Sequence, residues 1–136
     1  MVRVFAEAEV NDTEDPEKVA KALMNLFNGE QSRNQSSSPK PSIAVSGKGL
    51  PALETIKMIL QRDQIRSAAG AVLRRGVSNG TITAYLNKQV AFAGHVSFCE
   101  PEGESPLGPI RLTIEARDPA RLIEWLTGGV RERKTR

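Results

Sequence analysis

The chain has 136 residues, 39% of them hydrophobic and 26% charged, with a net charge of +3, enough for one domain with a core that needs neither disulfide nor metal to hold it. A single cysteine, Cys99, excludes an intramolecular disulfide framework and an all-cysteine zinc site, and a single histidine, His95, excludes histidine-rich metal sites. No apolar run approaches the roughly 18 residues of a membrane span, and residues 1–5 lack the pattern of a signal peptide. The expectation is one domain over residues 1–136, cytoplasmic, without membrane contact, metal or cofactor.

Residues 2–10 alternate, with Val2, Val4, Ala6, Ala8 and Val10 on one side and Arg3, Phe5, Glu7 and Glu9 on the other, as in a half-buried strand. Asp15-Pro16 reads as an N-cap followed by proline at the first helical position. Val19, Ala20, Leu23, Met24 and Phe27 then fall at helical spacing, ending at Asn28-Gly29. Residues 30–42 are polar, with three serines in a row and two prolines, and read as a mobile loop.

Ile43-Ala44-Val45 is a short strand and Ser46-Gly47-Lys48-Gly49 a turn. A long helical pattern runs from Leu53 to Leu73. Its apolar stripe shifts near Asp63-Gln64, so it is one kinked helix or two in succession, closed by Gly76. Residues 81–86 alternate around Ile82, Ala84 and Leu86. Asn87-Lys88-Gln89 then reads as a tight connection, with Lys88 exposed at a hairpin tip. It leads to a strand over 90–98, with Val90, Phe92, Val96 and Phe98 inward and Ala91, Ala93, His95 and Ser97 outward. Another strand spans 110–116, and Asp118-Pro119 starts a short helix stopped by Gly128-Gly129, before a basic tail at 131–136. The order β-α-β-α-β-β-β-α gives an α+β, two-layer domain: a mixed, largely antiparallel sheet of about five strands with helices on one face.

Charge is unevenly placed. Residues 1–30 carry three basic and seven acidic side chains, residues 31–100 nine and three, and residues 101–136 seven and six. An anionic partner is therefore expected at the middle of the chain. Arg62 and Arg66, four apart, share a face of the long helical pattern, and Arg74 and Arg75 follow near its end. Such arginines fork onto phosphate oxygens, and Lys88, Lys48 and Arg111 extend the set. The other chemistries are weaker. Ser46-Gly47-Lys48-Gly49 departs from a phosphate-binding loop, since Lys48 is followed by glycine rather than Ser or Thr and no glycine lies five residues before Gly47. His95 has Ser97 and Cys99 on the same strand face, where side chains point in parallel rather than at one another. Glu7 and Glu9 have no apolar cleft to split their acidities. No catalytic residue is assigned. The outer sheet face, with Phe5 and Tyr85 among small residues, is too poor in aromatics for a base-stacking RNA module and suits pairing with another protein surface.

Several strings then stand together: Val72-Leu73-Arg74-Arg75-Gly76, Tyr85-Leu86-Asn87-Lys88-Gln89-Val90-Ala91-Phe92, and Glu104-Ser105-Pro106-Leu107-Gly108-Pro109-Ile110. With residues 11–16 and Trp125-Leu126 they resemble archaeal uncharacterised protein family 0201 over nearly the whole chain. The resemblance implies a fold similar to the ribosomal protein that binds 5S ribosomal RNA, an RNA-binding role sometimes linked to the exosome or the ribosome, and no enzymatic activity. Two functions follow. The first is a non-catalytic protein holding structured RNA by its phosphates. The second is an interaction protein that forms a homodimer through the outer sheet face, using Ala91 and Ala93 beside Thr83 and Tyr85, and docks on a larger complex.

Overall fold

The computed structural model describes residues 2–34, 41–100 and 108–128. The chain begins with strand β1 (Val2–Glu9) and helix α1 (Pro16–Leu26), whose N-cap Asp15 accepts a hydrogen bond from the Glu17 N–H. Strands β2 (Glu30–Asn34) and β3 (Ser42–Lys48) follow, then a 3₁₀ turn (Leu50–Leu53) into α2 (Glu54–Arg62) and α3 (Arg66–Arg75). The remainder is β4 (Val77–Ser78), β5 (Thr81–Asn87), α4 (Lys88–Phe92), β6 (Pro109–Ala116) and α5 (Pro119–Leu126).

The strands form one six-stranded sheet in the order β2-β3-β1-β6-β5-β4. Every pairing is antiparallel, so the sheet is not mixed, and it has one strand more than the sequence pattern counts. The alternation read from β1, β5 and β6 is realised: Val4, Ala6 and Ala8 lie opposite Ile114, Leu112 and Ile110, which in turn lie opposite Ile82, Ala84 and Leu86. These residues are buried, and with Ile43 and Val45 they form the sheet side of the core. The helices supply the other side through Leu23 and Leu26 of α1, Ile56 and Leu60 of α2, Leu73 of α3, and Leu122, Ile123 and Leu126 of α5. Burial of this shared apolar surface drives the two-layer arrangement.

Four expectations are corrected. Residues 30–34 are not loop but β2, in register with β3 from Glu30↔Ser46 to Asn34↔Ser42, and Ser42 belongs to β3; residues 35–40 lie outside the described residues. The Ser46-Gly47-Lys48 turn is instead the continuation of β3, and the chain turns at Gly49, whose φ is +76°. The stretch 90–98 is not a strand. Asn87 caps α4, its side-chain oxygen accepting from the Val90 N–H at 2.9 Å, so Ala91 is buried and Phe92 exposed, the inverse of the strand expectation. Only the end of that stretch runs beside β5, through Asn87 N–H to Ser97 O and Cys99 N–H to Tyr85 O. Finally, Arg62 and Arg66 do not share a face, because the long pattern takes the second of its two allowed forms, two helices in succession. Asp63 ends α2, and Gln64 at φ +59° redirects the chain. The tail at 131–136 and residues 101–107 of the proline-rich connection fall outside the described residues.

Candidate nucleic-acid interface

Helix α3 reads Arg-Ser-Ala-Ala-Gly-Ala-Val-Leu-Arg-Arg and carries no acidic residue. Ala69, Gly70 and Leu73 face the core, leaving Arg66, Ser67, Ala68, Ala71, Arg74 and Arg75 exposed. Arginines therefore stand at both ends of an exposed strip of small side chains. Arg74 folds back along its own helix, Nη1 lying 3.1 Å from where a Cβ on Gly70 would be. Arg66 crosses to α5, Nη1 lying 2.5 Å from a Cβ position on Gly128, a residue at φ +72°. The backbone bonds Thr83 N–H to Gly76 O and Ala116 N–H to Gly80 O bring the end of α3 and the approach to α5 to the same β4–β5 margin of the sheet. Arg117 and Arg121, both exposed, are added there. Both flank the Asp118-Pro119 cap, outside the basic segment 31–100 to which the charge count points. None of Arg66, Arg74, Arg75, Arg117 and Arg121 has an ion pair among the described residues.

The other named cations are placed differently. Arg62 is spent locally: its Nε lies 3.0 Å from Asp63 Oδ1, and Nη2 donates to the Gly94 carbonyl at 3.0 Å and lies 3.2 Å from His95 Nδ1. His95 Nδ1 is 2.8 Å from Asp63 Oδ2. Hydrogen bonds from Arg62 and then His95 hold the Asp63 carboxyl down at about 2, and the hydrogen bond to Asp63 in turn raises the pKa of Arg62. The cluster ties the end of α2 to the exit of α4. Within it His95 Nδ1 lies against both Asp63 and Arg62.

Lys88 is not at a hairpin tip. It is buried, donating to Glu9 O at 2.7 Å and to Glu14 Oε1 at 3.0 Å. Burial pushes the Glu14 carboxyl up, but hydrogen bonds from the Asn11 N–H, Lys88 and the Asn11 amide outweigh it and leave its pKa lowered. Lys48 and Arg111 lie on the outer sheet face, the side away from the helices. Arg111 is paired there with Glu7 at 3.0 Å, and Lys48 is exposed opposite Arg3. The seven cations thus divide among α3, the α2–α4 clamp, the buried pair and the outer sheet face. The only contiguous exposed set among them is on α3. Phe5 and Tyr85 are kept apart by β6, in rows Phe5–Thr113–Thr83 and Glu7–Arg111–Tyr85.

Among the described residues, no group of three or more His, Cys, Asp or Glu side chains is placed to hold a metal ion. Nor is any helix among them long and apolar enough to cross a membrane.

A family model described as RNA binding matches residues 3–116. A UPF0201 protein of Sulfurisphaera tokodaii is 39% identical over 127 residues, covering 93% of this chain and 88% of its own. One from Sulfolobus acidocaldarius is 37% identical over the same length and coverage. The crystal structure of a UPF0201 protein from Methanococcus jannaschii superposes with a TM-score of 0.81 at 29% identity, covering 92% of this chain and 98% of that one.

Proposed function

From the premise that this chain belongs to the UPF0201 family and that residues 3–116 match the family model described as RNA binding, we propose that it is a non-catalytic protein that holds structured RNA by its phosphates through the arginines of α3. The observation that carries this reading is a helix without acidic residues whose exposed arginines have no ion pair among the described residues. An unpaired guanidinium keeps its planar fork for a phosphate and loses no existing partner on binding. Ser67, Ala68 and Ala71 between the arginines let the helix lie close to a sugar–phosphate surface, and Arg117 and Arg121 extend the charge beyond α3. Recognition of this kind reads backbone shape rather than base sequence. Lys88 leaves the set because it is buried, and Arg62 contributes less because Asp63 already holds it.

The test is the electrophoretic mobility of a structured RNA. The unmodified protein retards it at low salt, and an Arg74→Glu/Arg75→Glu variant with unchanged melting does not. Equal retardation by both proteins would sink the α3 assignment. The interaction-protein reading has less support, because Ala91 is buried in α4 rather than displayed beside Thr83 and Tyr85.

A further inference from the structure

On the outer sheet face, where β1 begins and β3 ends against the 3₁₀ turn, lies an open cleft of about 980 Å³, within the size range of small-ligand sites. Its floor is a single row of the sheet. Phe5 stands between its register partners Ser46 and Thr113, with Glu30 beyond Ser46 on β2. Both immediate neighbours of the ring are small, so Phe5 stands clear of the sheet and is 39% exposed.

One rung along, about 7 Å at the strand rise, Arg3 stands between its register partners Lys48 on β3 and Glu115 on β6, all three exposed and without an ion pair among the described residues, so the cationic side of this row is the β1–β3 side, away from Glu115. The wall depends on two glycines. A Cβ on Gly29 would meet the Ser46 carbonyl oxygen at 2.2 Å, and one on Gly47 would meet the Asn28 oxygen at 2.7 Å and the Ala52 Cβ at 2.8 Å. These close approaches seat Asn28 against Pro51, with the Asn28 amide donating to the Pro51 carbonyl at 2.8 Å. The Ser-Gly-Lys-Gly string is therefore no phosphate loop, but it builds the wall and places Lys48 on the rim.

An exposed aromatic face, two adjacent cations one rung away and a carboxylate in the row of the ring are the three groups that recognise a nucleotide: stacking for the base, charge for the phosphate, an acceptor for base N–H groups. Two strand spacings, about 10 Å, separate Phe5 from Glu30, a span that a purine rather than a pyrimidine bridges. A carboxylate accepts from N1–H and the 2-amino group of guanine together, whereas adenine offers it one amino group. We propose that this cleft binds an unpaired guanine nucleotide, its base on Phe5, its donor edge at Glu30 and its phosphate between Arg3 and Lys48. The nucleotide is either free or part of a single strand. The site lies on the opposite layer from α3, so the two stand or fall separately.

The experiment follows amide chemical shifts during titration with GMP, AMP, UMP and an RNA pentamer holding one guanine among uracils. It is run in the Arg74→Ala/Arg75→Ala background, so that binding at α3 does not interfere. GMP is expected to bind more tightly than AMP and AMP more tightly than UMP, with shifts centred on residues 5, 46 and 113. Phe5→Ala weakens binding about tenfold or more, Phe5→Tyr retains it, and Glu30→Gln removes the preference for guanine. Lys48→Glu, a substitution at an exposed strand end, weakens phosphate-bearing ligands without relying on a change at the ring. Saturation by the pentamer but not by GMP identifies a strand-borne nucleotide, and equal saturation identifies a free one. No saturable shift with either, binding unchanged in both Phe5→Ala and Lys48→Glu, or a dimer that Phe5→Ala dissolves without any nucleotide response would overturn the assignment.

Discussion

Lys88 Nζ and Glu14 Oε1, 74 residues apart in the chain, lie 3.0 Å from one another with side chains only 4% and 11% exposed. The pair joins the first residue of α4 to the turn between β1 and α1, and Lys88 also donates to the carbonyl of Glu9 at the end of β1. The Asn-Lys-Gln string is thus a structural pin.

The two halves of this pin are not equivalent. Glu14→Gln takes from a buried ammonium the carboxylate 3.0 Å away and is expected to cost about 3 kcal/mol. Lys88→Met leaves a carboxylate still bonded by the Asn11 N–H and side-chain amide, which can also take up a proton. It should be the milder change. Urea unfolding at neutral pH ranks the two variants, and the reverse order would contradict the burial argument.

The Asp63 cluster predicts an acid response. The folded carboxyl is held at about 2 against the ordinary 3.8, so the unfolded chain takes up its proton first as pH falls. The stabilisation is whole above about pH 4 and is lost as pH drops through about 2. Wild type should therefore lose more stability than Asp63→Asn between about pH 5 and pH 2. Parallel urea midpoints for the two proteins over that range would refute the linkage.

The elements that bury a face are the ones that can be read from sequence. Alternation in β1, β5 and β6 and the Asp-Pro starts of α1 and α5 follow from burial and capping alone. Strand β2 escapes because Glu-Gln-Ser-Arg-Asn offers no apolar face; as an edge strand it is held by backbone bonds to β3 and by Arg33 reaching Glu17 at 2.9 Å. Helix α4 escapes because a five-residue segment gives too few turns to separate a helical period from alternation, and Asn87 serves equally as turn residue and N-cap. Arginine spacing along the chain marks α3 as basic. Which arginines remain unpaired depends on contacts such as Arg62 with Gly94, 32 residues away, that no local pattern contains.

Gly47 tests the wall of the cleft on the sheet. A methyl group there meets a backbone oxygen and a buried Cβ below 3 Å, so Asn28 or Ala52 must move. Gly47→Ala is expected to lower stability by about 1–3 kcal/mol, whereas Lys48→Ala at the neighbouring exposed position should stay within about 0.5 kcal/mol. Thermal melts of the two variants decide it; similar values would mean that the wall yields freely.

The sharpest test of α3 is the salt dependence of RNA binding with a single arginine removed. Arg66 is the poorer choice, since its guanidinium packs over Gly128 and its loss disturbs the contact with α5 as well as the charge. Arg75 is exposed in the last turn, and Ala has the highest helix propensity, so Arg75→Ala removes charge with little effect on folding. Each phosphate contact releases condensed counterions, so the variant should bind all structured RNAs more weakly by a similar factor. The slope of log K against log salt should become shallower by about one. Lys18→Ala on α1, away from α3, serves as the control for a generic loss of one positive charge and should leave the slope nearly unchanged. If Arg75→Ala and Lys18→Ala shift the slope equally, RNA responds to the net charge of the molecule rather than to α3. The arginines of that helix would then be a solvated surface.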